Sequence, residues 1–203
     1  MPKHLIFIRH GETPHNSAGK FISWRTDPSL SKVGKAHARE VGTRLLGLRI
    51  NAIYTSDMRR TVETATIIGK IVNVVPTPTE LLRERDLGIF DNHTFHEIRE
   101  KWPHHAAKFV DHADIHWKGH EGESLHEVHL RFRALHNQLK QSHRDQTVLL
   151  VTHGGYTHTI LRDYFGFFPR ESFADIAHNS ITIVDRVGDT HTLTTYNQTK
   201  NEK

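Results

Sequence analysis

Leu5-Ile6-Phe7-Ile8-Arg9-His10-Gly11-Glu12 is the stretch from which the rest of the chain can be read. Four consecutive apolar residues leave no face for solvent, so residues 5–8 are expected to form a strand buried on both sides, as in a sheet covered by helices. The run stops at a cation, a titratable imidazole and a glycine. A strand that ends on such a set delivers polar side chains to the sheet edge where open α/β folds bind ligands.

The same pattern recurs downstream. Ser31 can cap a helix whose apolar positions Ala38, Val41, Leu45 and Leu48 recur at helical spacing. Ala52-Ile53-Tyr54-Thr55 reads as a second strand, and Asp57 as the N-cap of a helix turning Met58, Val62, Ala65 and Ile68 inward. Val72-Asn73-Val74-Val75 reads as a third strand, stopped by Pro76 and Pro78. Ser124-Leu125-His126-Glu127 has the form of a capping box ahead of the stripe Leu125, Val128, Phe132, Leu135, Leu139. Residues 147–152 make another β-branched apolar strand, which ends at His153-Gly154-Gly155 and leads into a helix over 156–165. Residues 181–187 and 190–196 flank Gly188-Asp189, the spacing of a hairpin at a sheet edge.

Strands alternating with helices predict an α/β fold, a three-layer α/β/α sandwich with a mostly parallel central sheet and an antiparallel edge strand. The length of 203 residues suits a single domain, 1–203. Within it the His- and Trp-rich region 92–123 has weak periodicity and reads as short helices forming an inserted, lid-like region.

A composition with 36% hydrophobic and 25% charged residues is that of a soluble globular chain. The formal charge of +4 favours anionic partners. No run of five or six basic residues and no aromatic-interleaved basic strand accompanies it, so no nucleic acid partner is expected. The apolar run at residues 5–8 is too short for a membrane span and no cleavage site follows it, which predicts a cytoplasmic protein with no membrane association. The absence of cysteine removes thiolate catalysis and zinc–thiolate sites. Nineteen histidines raise the question of a metal, and His126-Glu127-Val128-His129 falls one residue short of the H-E-x-x-H spacing. Surface histidines account better for these and for His104-His105, so no metal and no cofactor are expected.

Residues following separate strands should converge: Arg9-His10, the segment 56–60, Leu82-Arg83-Glu84, and His153-Gly154. Two histidines, several arginines and a glutamate suit phosphoryl transfer. A phosphate monoester carries up to two negative charges, and its oxygens accept the planar paired hydrogen bonds that guanidinium groups donate. Neutral imidazole is a competent nucleophile when one nitrogen is held as N–H and the other presents its lone pair, which suits His10. Departure of the leaving group needs a proton, and a buried carboxyl can supply it, with Glu84 the candidate and Glu80 and Asp86 its rivals.

These segments resemble, in order, the histidine phosphatase superfamily, also called phosphoglycerate mutase-like. The first strand with Arg9-His10-Gly11-Glu12-Thr13 and Asn16 is similar to that family's RHGE(T)xxN signature. Asp27-Pro28-Ser29-Leu30-Ser31 with Gly34 resembles D-x-x-L-[ST]-x-x-G, and Ser56-Asp57-Met58-Arg59-Arg60-Thr61 resembles S-D-L-x-R-A. Glu84, Gly122-Glu123-Ser124 and Val151-Thr152-His153-Gly154-Gly155 fall on the remaining motifs. The chain departs from the family at Phe90-Asp91-Asn92, where W-E-G is frequent, and at Thr61, where alanine is usual.

The resemblance implies a metal-independent phosphatase that hydrolyses phosphate monoesters through a phosphohistidine intermediate on His10, with Glu84 as general acid and then base. It assigns Arg9, Arg60 and His153 to the phosphoryl oxygens, and Asn16 and backbone groups near Ser23 and Gly154 to binding or orienting a small-molecule phosphate ester. Phosphoglycerate mutase activity and non-catalytic binding of phosphorylated ligands are the alternatives. The segment after Glu84 lacks the longer insertion of cofactor-dependent mutases, which favours hydrolysis.

Overall fold

The computed structural model describes residues 1–110, 114–169 and 175–199. In chain order, β1 (His4–Arg9), α1 (Pro14–Ser17), α2 (Lys32–Arg44), β2 (Ala52–Ser56), α3 (Arg59–Val72) and β3 (Pro76–Thr79) are followed by α4 (Phe95–Lys101) and α5 (Pro103–Val110). The long α6 (Leu125–Ser142), β4 (Thr147–Thr152), the short α7 (Gly154–Thr159), β5 (Ile181–Val187) and β6 (Thr190–Gln198) complete the chain. The six strands form one sheet in the order β3-β2-β4-β1-β5-β6. The first four run parallel, and β5 and β6 add an antiparallel hairpin at one edge.

The period-2 rule of a strand accounts for the three layers. Leu5 and Phe7 face a core formed with Val128, Phe132, Leu135 and Leu139 of α6 and Tyr156 of α7. Ile6 and Ile8 face the other side, against Val41 of α2 and Ala65 and Ile68 of α3. Both faces of β1 are therefore dry, as four apolar residues in a row require. The α6 stripe is buried throughout, and Ser124 and Glu127 exchange the two hydrogen bonds of the capping box.

Several sequence expectations are corrected. Residue 72 belongs to the end of α3, and the third strand runs over Pro76–Thr79, so the prolines lie inside it rather than stopping it. β3 is an edge strand, and prolines two residues apart share one orientation, so both missing N–H groups can face away from β2. Asp57 does not cap α3. Met58 occupies the N-cap without a side-chain bond, the Asp57 carboxylate pairs with Arg83, and Asp27 receives the N–H of Arg59 from across the loop at 2.7 Å. Leu48 lies beyond the end of α2 and is exposed, and Val62 is only half-buried. The helix expected over 156–165 begins two residues earlier and ends in a wider π-type turn, Ile160–Tyr164.

In the region 92–123, α4 and α5 pack on a small apolar cluster of Leu87, Phe90, Ile98 and Ala106, with Phe109 and Trp117 at its edge. Residues 111–113 of that region lie outside the described residues.

Candidate active site

The carboxyl ends of β1, β2 and β4 converge with the segment that follows β3, as the topology dictates. Arg9, His10, Glu84 and Gly154 share the wall of one cavity of about 170 Å³, together with Asn16, Lys20, Phe21, Arg85, Phe109, Gly155, Arg162 and others. Arg60, His153 and Ser23 are not part of that wall; they are fully buried.

His10 is held in one tautomer. Its Nδ1 lies 2.8 Å from the carbonyl oxygen of Gly11, which can only accept, so Nδ1 carries the proton and Nε2 keeps its lone pair. The backbone of the loop is fixed as well: His10 N–H donates to Thr152, and Gly11 N–H donates to the Thr64 hydroxyl on α3. Burial, and then the charges of Arg60 and Arg9 with the neighbouring imidazoles, pushes the His10 pKa well below the ordinary value, so the ring is neutral.

Arg9 donates from Nη1 to Asp175 and to the carbonyl of Ile176, while its buried Nε makes no hydrogen bond among the described residues. Arg60 donates to the carbonyls of Thr26 and Ser23 at 3.2 and 3.0 Å and approaches His153 Nδ1 at 3.2 Å, and its Nε also lacks a partner among the described residues. Burial lowers its pKa to about 10, which leaves it charged at neutral pH. A guanidinium can only donate, so His153 Nδ1 accepts and its Nε2–H donates to the Ser56 hydroxyl at 3.0 Å. The two site histidines pack edge to face, with ring centroids 5.2 Å apart.

Glu84 sits on the first turn of α7. Its Oε1 accepts the N–H groups of Arg85 and Tyr156, and its Oε2 accepts that of Gly155. A Cβ on Gly154 would lie 3.1 Å from Arg9 Nε, and one on Gly155 would lie 3.0 Å from Glu84 Oε1, so the paired glycines let both side chains rest against the helix start. Burial raises the Glu84 pKa, opposed by the backbone donors and by Arg60 and Arg9. The rivals are committed elsewhere: Asp86 forms a two-pronged pair with Arg25, and Glu80 is exposed beside Arg83.

Asn16 lines the cavity and also closes the capping box of α1, its Oδ1 accepting from Thr13. Ser23 has its N–H on Asp91 and its carbonyl on Arg60, so its backbone serves the loop that carries Arg60. The two departures from the family motifs are absorbed structurally. Asp91 ties Ser23 and Thr26 together, and the Thr61 hydroxyl donates to Ser56 and Met58 at the start of α3.

Sequence reasoning missed His178, whose ring packs edge to face on His10 at 5.4 Å. It precedes β5, which runs antiparallel, so the start of β5 lies at the same sheet edge as the ends of the parallel strands. Extending the strand-end rule to the residues before an antiparallel strand would have found it. Arg85 and Arg162 in the cavity wall had no motif to mark them.

A parallel α/β sheet that gathers a neutral histidine, arginines and a buried carboxyl at its strand ends defines the phosphoryl-transfer class of site. The chain belongs to the histidine phosphatase superfamily (branch 1), whose model matches residues 5–199. It is 30% identical over 185 residues to a metal-independent phosphoserine phosphatase of Arabidopsis thaliana, covering 89% of this chain and 75% of that one. It is 28% identical over 195 residues to a 2,3-bisphosphoglycerate-dependent phosphoglycerate mutase of Brucella ovis, covering 92% and 93%. Among solved structures, a mycobacterial glucosyl-3-phosphoglycerate phosphatase superposes with a TM-score of 0.86 at 27% identity, covering 97% of this chain and 99% of that one.

Proposed function

We propose that this protein is a metal-independent phosphatase acting on small phosphate monoesters through a phosphohistidine on His10. The observation that carries this reading is the tautomer of His10: Nδ1–H is committed to Gly11, and the ring is neutral in the wall of a cavity that also holds Arg9 and Glu84. Nε2 attacks phosphorus and the P–O ester bond breaks. The departing oxygen takes the proton of the Glu84 carboxyl. Glu84, now a carboxylate, takes a proton from water as that water attacks the phosphohistidine, and the P–N bond breaks to return His10 and release phosphate.

The buried, unpartnered Nε–H of Arg9 in the cavity wall supports its assignment to the phosphoryl oxygens; the Nε–H of Arg60 is likewise unpartnered among the described residues, and its assignment requires the ester to reach past the wall to it. His153 is held by Arg60 and Ser56 beside His10, and its part in the proposal is that its Nε2–H turns from Ser56 to a phosphoryl oxygen when the ester binds. Asn16 Nδ2 and the backbone around Gly154 orient the ester, whereas Ser23 contributes by holding Arg60. The whole chain acts as one domain, with the region 92–123 as a cover that reaches the cavity through Phe109. No helix is long and apolar enough to cross a membrane among the described residues, and a cytoplasmic location is part of the proposal.

The cavity of about 170 Å³ supports a compact leaving group. Phosphoserine and phosphorylated sugar acids are the first substrates to screen, given the phosphatases this chain resembles. The test is phosphate release from p-nitrophenyl phosphate by wild type and His10→Ala. Loss of release in the variant is expected; full activity in the variant ends the proposal, and phosphoryl transfer between phosphoglycerates without phosphate release would favour the mutase alternative.

A further inference from the structure

His10 has a ring on each side. His153 meets it at 5.2 Å with 64° between planes, and His178 meets it at 5.4 Å with 62°. His178 is anchored to the same loop, because the N–H of the next residue, Asn179, donates to the Arg9 carbonyl at 3.0 Å. The Nε2 of His178 is buried with no hydrogen-bond partner among the described residues. That nitrogen makes no bond there, so what His178 offers His10 is the edge and bulk of its ring, which a phenylalanine would also supply.

We propose that His178 is a positioning residue for His10: with His153 it brackets the nucleophilic ring edge-on and keeps Nε2 turned toward the cavity. The inference rests on the phosphatase reading of that site. The Gly11 carbonyl fixes one point of the His10 ring, and a single hydrogen bond leaves the ring free to swing about it. Two flanking rings remove that freedom, through the attack on the ester and again while phosphohistidine waits for water. An error of about 1 Å in such a placement costs about a hundredfold in rate.

The groups that face His10 are Arg9 on its own strand, Arg60 from α3, His153 at the end of β4, His178 before β5, and Glu84 in the same cavity wall. Removing the His178 ring admits water beside His10 and so relieves the burial that keeps it neutral. The acidic limb of the pH profile then moves to higher pH, which a merely structural contact elsewhere would not do.

The experiment compares wild type with His178→Ala, His178→Phe and His178→Asn on p-nitrophenyl phosphate across pH. His178→Ala is expected to lose about tenfold to a hundredfold in kcat with KM nearly unchanged, and to shift the acidic limb upward. His178→Phe, which restores the ring, should return to within about threefold of wild type, while His178→Asn should not. Wild-type kcat in His178→Ala, or rescue by asparagine and not by phenylalanine, overturns the inference. If His178→Ala does not fold, the phenylalanine and asparagine pair decides alone. An inactive wild type brings down the phosphatase reading itself, whereas an active wild type indifferent to all three changes brings down only the role of His178.

Discussion

The Oε1 of Glu84 accepts the backbone N–H of Tyr156 at 2.7 Å, which ties the carboxyl following β3 to the helix that follows the second histidine. Gly155 and Arg85 add two more N–H donors, so the group is rigidly placed. Burial favours its protonated form and the three donors favour the carboxylate; burial is the larger cause, and the pKa is raised. Glu84→Gln keeps the shape but has no acidic proton to give. In a single turnover, release of the alcohol from an alkyl phosphate is expected to slow by about 10² to 10⁴ and release of p-nitrophenolate by much less, because the aryl oxide leaves unaided. Equal losses on the two esters would remove Glu84 from the acid role.

Arg60 is completely buried and holds the loop through the carbonyls of Thr26 and Ser23, beside the ligand role proposed for it. Arg60→Ala leaves two carbonyls and His153 Nδ1 without a donor, each at a cost of about 1–3 kcal/mol. Denaturant titration is expected to show a loss of several kcal/mol alongside lost activity. An unfolding midpoint equal to wild type would mean that these contacts contribute nothing to stability.

The first strand was legible because Leu5-Ile6-Phe7-Ile8 admits no solvent face, and the two apolar clusters on either side of it show why. The capping box at Ser124 was legible because both of its hydrogen bonds are local. What escaped depends on distant partners. Asp57 has the chemistry of a cap, yet Arg83 claims it and Asp27 caps the helix from 32 residues away. The valines before Pro76 looked like a strand because β-branched residues favour one, yet Val72 ends α3 and Val74 and Val75 lie in the connection to β3; only edge position makes alternating prolines tolerable. At the site, Arg9, His10 and Glu84 came from strand ends and spacing, whereas His178 lies before an antiparallel strand that the parallel-sheet rule does not cover.

Buried histidines should make the fold sensitive to acid. Burial lowers the pKa of His136 and His178 to about 3 and that of His120 to about 4, and holds those of His10 and His153 well below the usual range. Between the ordinary value of 6.5 and those lowered values, the unfolded chain binds protons that the folded chain refuses, so stability falls as pH falls. Each such histidine contributes up to about 1.4 kcal/mol per pH unit in that window. Thermal unfolding is expected to show Tm dropping steadily from pH 7 to pH 4.5; a flat Tm over that range would contradict the burial of these rings.

Activity should not depend on a divalent metal, because Arg9, Arg60 and the His10 tautomer supply the charge and the nucleophile that a metal would otherwise provide. Dialysis against EDTA is expected to leave kcat unchanged. Loss of activity that zinc or magnesium restores would return attention to the histidine pairs such as His126 and His129.

The central claim is that His10 carries the phosphoryl group. Wild type quenched in alkali during turnover of p-nitrophenyl phosphate, then digested and analysed by mass spectrometry, tests it most directly. The expected result is a phosphoryl group on His10 that is stable in alkali and lost in acid, absent from His10→Ala and accumulating in Glu84→Gln with the aryl ester. Turnover at full rate with no phosphorylated His10, or the phosphoryl group on another residue, would contradict the account.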